Sequence, residues 1–356
     1  MSTITAGAVT PVAGAYATTP AASGTFIPVV WSGKLNEKFY AASTFADICN
    51  KNWEGEISNV GDKVVINNIP TLTINDYVVG GNLSYQTPTP NTIELMVDRA
   101  KYFGFNVADV LEYQSKPDLM GMFSDDAGQQ MRTVIDSTML YRTLLSSATG
   151  TALLPEDGVV STNRGTTAGV KSGSYSLGSD GAPIDLSATV DTTLDVILRL
   201  ASVLDEQNVP DAGRWLVIDP ATRLRLMGTK IAQAYLTGDD KSMLRNGMIG
   251  TIDRFKIYVS NQLPYKPTSS VGGATAGTVW VSGDGSETSI TGTAYTTSRA
   301  RLLAAGHTSA ITFASQMTKT EQLRNPTDFG DLVRGLNIFG GKVVKGTALA
   351  RAVVTN

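Results

Sequence analysis

Alternating apolar and polar positions dominate the part of the chain between residues 53 and 101. One alternating run covers residues 63–69 and continues through 71–77, and a second covers 92–98, with a Gly-Gly pair at 80–81 between them. This pattern predicts a long β-hairpin. With about 12 to 15 residues on each side at roughly 3.3 Å per residue, the hairpin would extend on the order of 40 to 50 Å. Because an isolated hairpin is marginally stable in water, we expect this arm to pack against another subunit.

Helical periodicity occurs in two places before residue 150. Residues 31–50 carry apolar side chains at helical spacing and predict a helix, and residues 98–107 predict a strand that returns from the arm. A longer apolar stripe covers residues 117–147, with Ser115 as a candidate N-cap and Pro117 in the first turn. At about 1.5 Å per residue this helix would be roughly 45 Å long, well above the usual length. It predicts a structural helix around which a domain is built.

The second half of the chain alternates between helical and strand patterns. Residues 191–207 predict a helix, residues 214–218 a strand, and Asp219 the N-cap of a further helix. Residues 251–260 predict another strand, so this order favours a mixed α/β unit within an α+β fold. Further strand-like patterns cover residues 310–314, 329–339 and 342–345.

Three segments lack a periodic pattern. Residues 1–25 consist mostly of Ala, Thr, Gly, Pro and Ser, and residues 150–187 and 266–300 are rich in Gly, Ser and Thr. The first segment cannot offset the entropy of ordering by burying its own side chains. It is either a disordered tail or a strap that becomes ordered on an adjacent subunit. The second is expected to be a surface loop or a link, and the third an insertion.

Composition narrows the possible functions. The 356 residues carry a formal net charge of -3 and no cluster of Lys and Arg that would mark a nucleic-acid-binding face. The single Cys49 and single His307 exclude an intrachain disulfide and nearly every Cys/His metal site or histidine-dependent triad. The sequence shows no secretory signal and no apolar run of about 18 residues, so we expect a protein of the reducing cytoplasm that does not enter a membrane.

The few groups that could carry chemistry have simpler structural interpretations. The loop 283–287 lacks the further oxygen ligands of a calcium site, and the glycine-rich segment 247–250 lacks the Lys-Ser/Thr pair and helix start of a phosphate loop. We expect surface turns, solvated charges and a structural or surface histidine, and no catalytic, cofactor-binding or metal site. The remaining candidates covered by that expectation are Asp125 with Asp126, Asp239 with Asp240, and His307.

A colinear set of short motifs extends from about residue 26 to residue 349. The motifs are Phe26-Ile-Pro-Val-Val-Trp-Ser32, Trp53-Glu-Gly-Glu-Ile57, Gly61-Asp-Lys-Val64, Asp98-Arg-Ala-Lys-Tyr-Phe-Gly-Phe-Asn-Val107, Val209-Pro-Asp-Ala-Gly-Arg-Trp-Leu-Val-Ile-Asp-Pro220, Ile249-Gly-Thr-Ile-Asp-Arg-Phe-Lys-Ile-Tyr-Val-Ser-Asn261, Ala310-Ile-Thr-Phe-Ala314 and Val333-Arg-Gly-Leu-Asn-Ile-Phe-Gly-Gly-Lys-Val-Val344. In this order they resemble the major capsid (coat) proteins of tailed bacteriophages with the Hong Kong 97 fold, in the branch that uses a separate scaffold.

The resemblance implies an α+β fold of the Hong Kong 97 type. Its parts would be an N-terminal arm, an extended β-hairpin loop, a peripheral domain with a long spine helix, and a mixed α/β axial domain. The implied boundaries are 1–30 for the N-terminal arm, 31–52 for a helix and connector, 53–99 for the extended loop, 100–150 with 310–356 for the peripheral domain, 151–187 for the surface loop or link, and 188–309 for the axial domain with its insertion at 266–300.

The resemblance also implies a structural protein and not an enzyme. Such a protein self-assembles into the pentamers and hexamers of an icosahedral shell that encloses double-stranded DNA, which it contacts without sequence specificity. Implied partners are other copies of the chain, a scaffolding protein, a portal and a candidate decoration protein, with no cofactor and no membrane. The location would be the virion, after assembly in the host cytoplasm.

Two departures from the family pattern refine this expectation. Members that cross-link their shells covalently use a lysine in the extended loop, but residues 69–94 contain none. We therefore expect a non-covalent shell. The N-terminal region also lacks the long charged helical segment that serves some members as a built-in scaffold, which implies a separate scaffolding protein.

The arm and its base are expected to contact neighbouring subunits. At the base, Arg99 and Lys101 are expected to pair across subunits with acidic residues such as Glu54 and Glu56. The expected contact residues of the arm are Tyr77, Val78, Val79, Leu83 and Tyr85.

Two other classes of protein remain as alternatives. One is an enzyme built on residues 188–265, which is weakened because that stretch contains no His, no Cys and no glycine-rich phosphate motif. The other is a different virion component, such as a tail-tube subunit, which would lack the long helix.

Overall fold

A computed structural model describes residues 43–53, 63–70, 72–77, 79–80, 82, 85–109, 119–145, 158–188, 192–228, 251–266, 280–284, 300–327 and 329–355. The α-helices in these ranges are α1 (Phe45–Ile48), α2 (Leu119–Leu144), α3 (Thr192–Glu206) and α4 (Pro220–Met227). Short 3-10 turns cover Ser161–Asn163 and Gly346–Ala348.

The strands of the described chain form three sheets. They are β1 (Lys63–Asn68), β2 (Asn91–Met96), β3 (Arg99–Ala108), β4 (Ile184–Asp185), β5 (Arg214–Ile218), β6 (Thr251–Ile252), β7 (Phe255–Val259), β8 (Ala300–His307), β9 (Ile311–Arg324), β10 (Gly330–Val343) and β11 (Leu349–Thr355). Strands β1 and β2 pair antiparallel, and β3, β10 and β9 form an antiparallel sheet in that order. The third sheet has the order β4-β11-β8-β5-β7-β6 and is mixed, because β5 and β7 run parallel and so do β11 and β4.

The six-stranded sheet and helix α3 form the main hydrophobic core. Every residue of β5 and β11 is buried, as expected for central strands covered on both faces. Helix α3 packs against β11 and β8 with one apolar face, and the opposite face is open to solvent. The buried residues of that face are Thr193, Val196, Ile197, Leu200, Ala201, Val203 and Leu204.

Helix α2 joins this core to the three-stranded sheet. Its C-terminal part is buried from residue 136 onward, whereas residues 120–135 stay partly exposed above β3. The buried Arg351 of β11 donates from Nη1 to the carbonyl oxygen of Leu144 at 2.7 Å. A cation at this position satisfies an end carbonyl and the negative end of the helix dipole. No helix in the described part of the chain is long and apolar enough to cross a membrane.

Several sequence-based predictions are confirmed. The helix predicted over 117–147 is α2, the helix over 191–207 is α3, and the strand over 214–218 is β5. Asp219 caps α4, since its Oδ1 accepts a hydrogen bond from the backbone N–H of Thr222 at 3.3 Å. The proposed start signals Ser115 and Pro117 lie outside the described residues. Of the helix predicted over 31–50, the described residues 43–50 contain only α1, which is four residues long.

The arm is paired over a shorter length than the alternation predicted. The antiparallel ladder joins six residues of β1 to six of β2, from Lys63 opposite Met96 to Asn68 opposite Asn91. Residues 72–77 and 85–90 form no ladder strand. The cause is in the sequence: the prolines at positions 70, 88 and 90 have no N–H to give to a ladder.

Two strand predictions needed correction. The single strand predicted over 251–260 is a hairpin of β6 and β7, because Asp253 and Arg254 take φ angles of 42° and 68° and reverse the chain. The strand predicted over 310–314 is the start of β9, which continues to Arg324 because its partner β10 is equally long.

The C-terminal strand lies in a different place from the one that the sequence suggested. Residues 310–356 were assigned together to the domain of the long helix, but β11 pairs with β8 and β4 in the six-stranded sheet. Residues 158–188 are also more than a surface loop, because Val159, Leu177 and Leu186 are buried in the main core. The other domain boundaries stay predictions.

Candidate functional site: the arm, its base and the adjacent groove

The base of the arm packs tightly on the three-stranded sheet. Ile66 of β1 and Leu95 of β2 are buried against Ala314 of β9, in a small core separate from the main one. Gly340 of β10 lies directly under the chain that leaves β2, since a Cβ at this position would collide with the carbonyl of Met96. This close approach requires glycine, and it fixes the height at which the arm leaves the sheet.

An ion pair holds the turn between the arm and β3. Arg142, near the end of α2, donates from both terminal nitrogens to the two carboxylate oxygens of Asp98 at 3.2 and 3.1 Å. The arginine side chain is almost fully buried and the aspartate is about one-third exposed. A bidentate pair of this kind fixes orientation as well as distance. The direction of the arm is therefore tied to the long helix.

Beyond its base the arm exposes apolar side chains. Ile74 is 91% exposed and Val79 is 88% exposed. The backbone N–H of Thr73 donates to Oε1 of Gln86 at 3.1 Å, and Nε2 of Gln86 donates to the carbonyl of Thr73 at 2.9 Å. The Gln86 side chain therefore links the outgoing and returning segments of the arm beyond the end of the β1–β2 ladder. Exposed apolar patches of this kind often mark interaction surfaces.

The predicted contact residues of the arm are exposed where the structure describes them. Tyr77, Val79 and Tyr85 project large apolar surface into solvent. Val78 and Leu83 lie outside the described residues. Their role as contacts between subunits stays a prediction.

The predicted contact residues at the base lie at the start of β3. Arg99 and Lys101 are partly buried and occupy alternate positions, so they share one face of the strand. Glu54 and Glu56, their expected acidic partners in a neighbouring subunit, lie outside the described residues. The predicted ion pairs are therefore untested.

An apolar groove runs between β3 and the exposed half of α2. It has a volume of about 440 Å³. Phe103 and Phe105 of β3 stack with ring centroids 6.4 Å apart, and Phe123 of α2 meets Phe105 edge-on at 5.9 Å. Phe123 remains 41% exposed, and Met131 and Val134 complete the helix side. Within the described chain, no strand pairs with the outer edge of β3.

Ion pairs tie together the strands of the same sheet. Arg324 of β9 contacts Asp109 and Asp331, and Arg334 of β10 contacts Glu321 at 2.5 Å. Hydrogen bonds from Lys319 and then Arg334 hold the pKa of Glu321 below its usual value. Both arginines are exposed to solvent, and exposed ion pairs each contribute little to stability. Their effect is to keep the long strands in register.

Asp136 of α2 anchors the first described residues of the chain. Its Oδ1 accepts hydrogen bonds from Ser43 Oγ at 3.1 Å, from the Thr44 N–H at 3.1 Å and from the Phe45 N–H at 2.6 Å. Burial raises the pKa of this carboxyl to about 6, against the lowering effect of the three donors. The carboxyl group fixes the point at which the N-terminal region meets the long helix.

The histidine and the acidic loop are structural. The Ser309 N–H donates to Nδ1 of His307 at 3.1 Å, so Nε2 carries the proton and donates to the carbonyl of Ala212 at 2.8 Å. Asp284, in the loop considered as a calcium site, accepts from Ser137 and Ser282 at 2.9 and 2.6 Å and thus attaches a surface turn to α2.

The structure describes only some of the other candidates for chemistry. The described residues contain no group of three or more potential metal ligands. Asp126 accepts a hydrogen bond from Gln130 one turn along α2, at 2.7 Å, while its neighbour Asp125 is exposed. Asp239, Asp240 and the segment 247–250 lie outside the described residues.

Two features of this region were not found from the sequence. The groove combines residues of β3 with residues about 20 to 30 positions later in α2, and the Asp98–Arg142 pair joins residues 44 positions apart. The only local signal was the alternation that places Phe103 and Phe105 on one face of a strand. That signal predicts an apolar face but not the helix beside it.

Comparison with solved structures gives extensive matches. A chain from Mycobacterium phage Che8 matches with a TM-score of 0.65 and 23% sequence identity, over 92% of this chain and 97% of that chain. A chain from the capsid of cyanophage P-SCSP1u matches with a TM-score of 0.63 and 16% sequence identity, over 94% of this chain and 96% of that chain. A chain from the mature capsid of bacteriophage PhiM1 matches with a TM-score of 0.60 and 14% sequence identity, over 92% of this chain and 91% of that chain. No protein-family model and no curated protein matches the sequence.

These similarities establish the fold. The chain has the fold of phage capsid subunits over nearly its whole length, consistent with the Hong Kong 97 type that the sequence motifs implied. The resemblance inferred from the sequence is confirmed at this level. The assignment of individual parts as N-terminal arm, spine helix or axial domain stays a prediction.

Proposed function

We propose that this chain is the major capsid protein of a tailed bacteriophage and that it assembles into the pentamers and hexamers of an icosahedral shell around double-stranded DNA. The observation that carries the proposal is the fold, which matches chains from phage capsids over more than nine-tenths of their length. A structural role, and not catalysis, accounts for such a fold. The exposed apolar arm supports self-association, because a lone chain leaves residues such as Ile74 and Val79 in water.

The finer parts of the proposal rest on the sequence and the arm. Residues 69–94 contain no lysine, which supports a shell held without covalent cross-links between arms. The net charge of -3 supports weak contact with DNA that is independent of base sequence. A separate scaffolding protein, a portal and a candidate decoration protein are the other proposed partners. The assembled protein would reside in the virion after assembly in the host cytoplasm.

Electron microscopy of the overexpressed full chain tests this proposal. The chain is expressed alone and together with the scaffolding protein encoded by the same virus. We expect capsomers or closed shells in at least one preparation. A chain that stays monomeric in both preparations contradicts the proposal.

Deletion of residues 77–85 tests the role of the arm. The deleted segment includes the exposed Tyr77, Val79 and Tyr85, and none of its described residues belongs to the buried core, so we expect the subunit to remain folded. We expect an unchanged circular dichroism spectrum and no shells. Loss of the folded subunit would place this segment in the core of its own chain, and normal shells would show that the tip of the arm is not needed.

A further inference from the structure

One buried carboxyl group attaches the start of α1 to the long helix α2. Oδ1 of Asp136 accepts hydrogen bonds from Ser43 Oγ, the Thr44 N–H and the Phe45 N–H at 3.1, 3.1 and 2.6 Å. The side chain of Thr44, the N-cap residue of α1, makes no capping bond within the described chain. The carboxyl of Asp136 therefore takes the place of that cap and holds residues 43–48 on α2.

The surroundings of this carboxyl disfavour its ionised form. Asp136 is almost completely buried, and its Oδ2 has no hydrogen-bond partner among the described residues. Burial raises the pKa of the carboxyl from 3.8 to about 6, although the three donors lower it. A buried negative charge is costly unless a cation or enough donors surround it. Ionisation of Asp136 is therefore unfavourable for as long as residues 43–48 cover it.

The charged groups near Asp136 do not offset this cost. Asp47 of α1 acts on Asp136 through its negative charge and raises the pKa further. Lys256 of β7 interacts electrostatically with Asp47. Arg132, one turn earlier on α2, is exposed and forms no ion pair with Asp136. The elements that meet beside α1 contribute apolar rings, which are Phe45 of α1, Phe313 of β9 and Phe339 of β10.

Separation of residues 43–48 from α2 would change the ionisation of Asp136. Water would then replace the three donors, and the pKa of the carboxyl would return toward 3.8. The open arrangement binds the proton less tightly, so the ratio of open to closed subunits rises as the pH rises from about 4 to about 6. Opening also exposes Phe45 and Ile48, which are buried in the main core, and this keeps the closed arrangement dominant.

We propose that Asp136 acts as a pH-sensitive latch between residues 43–48 and α2, which is closed most firmly when its carboxyl carries a proton and opens more often when the carboxyl is ionised. Residues 1–42 continue from Ser43, so the latch sets how firmly the N-terminal part of the chain is joined to the long helix. This inference concerns the single subunit and does not depend on the proposed capsid function.

Hydrogen exchange of the unassembled full chain, read by mass spectrometry of peptic fragments, tests the latch. The opening constant of residues 43–48 is the measured exchange rate divided by the intrinsic rate at the same pH. From the two pKa values we expect this constant to rise by about 50-fold between pH 4 and pH 7.5. At pH 7.5 it should also exceed the opening constant of α3, which lies in the main core.

Two variants separate the latch from other effects of pH. Asp136→Asn removes the ionisable group, so the rise with pH should disappear. Asp125→Asn removes an exposed carboxyl of the same helix and should leave the rise unchanged. A rise that is absent from the natural chain, or that persists in Asp136→Asn, overturns the latch. An opening constant equal to that of α3 also overturns it, because residues 43–48 would then open only with the whole subunit.

The natural Cys49 gives a second measurement. It directly follows α1 and is buried, with its Sγ 3.8 Å from the carbonyl oxygen of Ala46. At pH 7.5, N-ethylmaleimide should modify Cys49 at least tenfold more slowly in Asp136→Asn than in the natural chain, and Asp125→Asn should react as the natural chain does. The three chains should react equally in denaturant. Equal rates in folded Asp136→Asn and the folded natural chain contradict the latch.

Discussion

Replacing Asp136 with asparagine is expected to stabilise the subunit at neutral pH. The carboxyl of Asp136 is buried in α2 and accepts three hydrogen bonds through Oδ1, from Ser43, Thr44 and Phe45. Its other oxygen, Oδ2, is buried and has no hydrogen-bond partner among the described residues. A buried ionised oxygen is costly, whereas an amide keeps the accepting oxygen and carries no charge.

The size of the effect follows from the pKa. Burial raises the pKa of Asp136 from 3.8 to about 6 in the folded chain. The folded state therefore holds the proton more tightly than the unfolded state, and the contribution of Asp136 to stability falls as the pH rises from about 4 to about 6. One pKa unit corresponds to about 1.4 kcal/mol, so ionisation costs about 3 kcal/mol at neutral pH. The uncharged amide of the Asp136→Asn variant would not incur this cost.

Calorimetric unfolding of the full chain at pH 4 and pH 7.5 checks this reasoning, with the oligomeric state matched by gel filtration. We expect Asp136→Asn to melt several degrees above the natural chain at pH 7.5 and close to it at pH 4. Asp136→Ala removes the acceptor as well and should lower the melting temperature at both pH values. If the advantage of the Asp136→Asn variant is absent at pH 7.5 or is the same at pH 4, the carboxyl is not destabilised by burial.

Leu200→Ala tests the core and Gly340→Ala tests the base of the arm, each with one control substitution. Leu200→Ala leaves a cavity at a fully buried position of α3 and should lower the free energy of unfolding by about 2 to 5 kcal/mol in a denaturant titration. The control Leu224→Ala, at an exposed position of α4, should change the free energy of unfolding little. Gly340→Ala should lower both the melting temperature and the yield of shells, because its Cβ would meet the Met96 backbone. Gly128→Ala in α2 meets nothing within 4 Å and should raise the unfolding free energy by about 0.5 to 1 kcal/mol. A Gly340→Ala chain that melts and assembles as the natural one does would show that the close approach is not a constraint.

Elements with a strong local pattern could be predicted from the sequence. Helix α3 places its apolar residues on one face over four turns, and α4 begins at an Asp-Pro pair whose capping bond is present in the structure. Strand β5 is a short apolar run between turn residues. In each of these cases the signal and the structure depend on the same few neighbouring residues.

Elements that depend on distant partners could not be predicted in the same way. Strand β11 pairs with β4, about 170 residues earlier, and no local pattern encodes that pairing. The turn at Asp253 and Arg254 lacks the Asn-Gly or Asp-Gly pair that usually marks a two-residue hairpin, so the hairpin looked like one strand. In the arm, the alternation correctly indicated an extended chain. The β1–β2 ladder ends near prolines, which have no backbone N–H to donate.

The same separation applies to the candidate site. The arm could be predicted because its alternation is local, and Tyr77, Val79 and Tyr85 are exposed as a contact surface requires. The groove could not, because it exists only after α2 folds back over β3. An exposed extended segment is therefore predictable from a local pattern, whereas a groove formed by two distant elements is not.

A shell without covalent cross-links can still be stable if every copy gives one arm and receives one. In a closed ring of five or six copies each subunit then has two such contacts, and release of one arm leaves its owner held by the other. Rebinding is intramolecular, so its effective concentration is high even when a single contact is weak. In such a shell the Asp98–Arg142 pair and the close approach at Gly340 would keep the base of a released arm in a fixed orientation, which would reduce the entropy that rebinding must overcome.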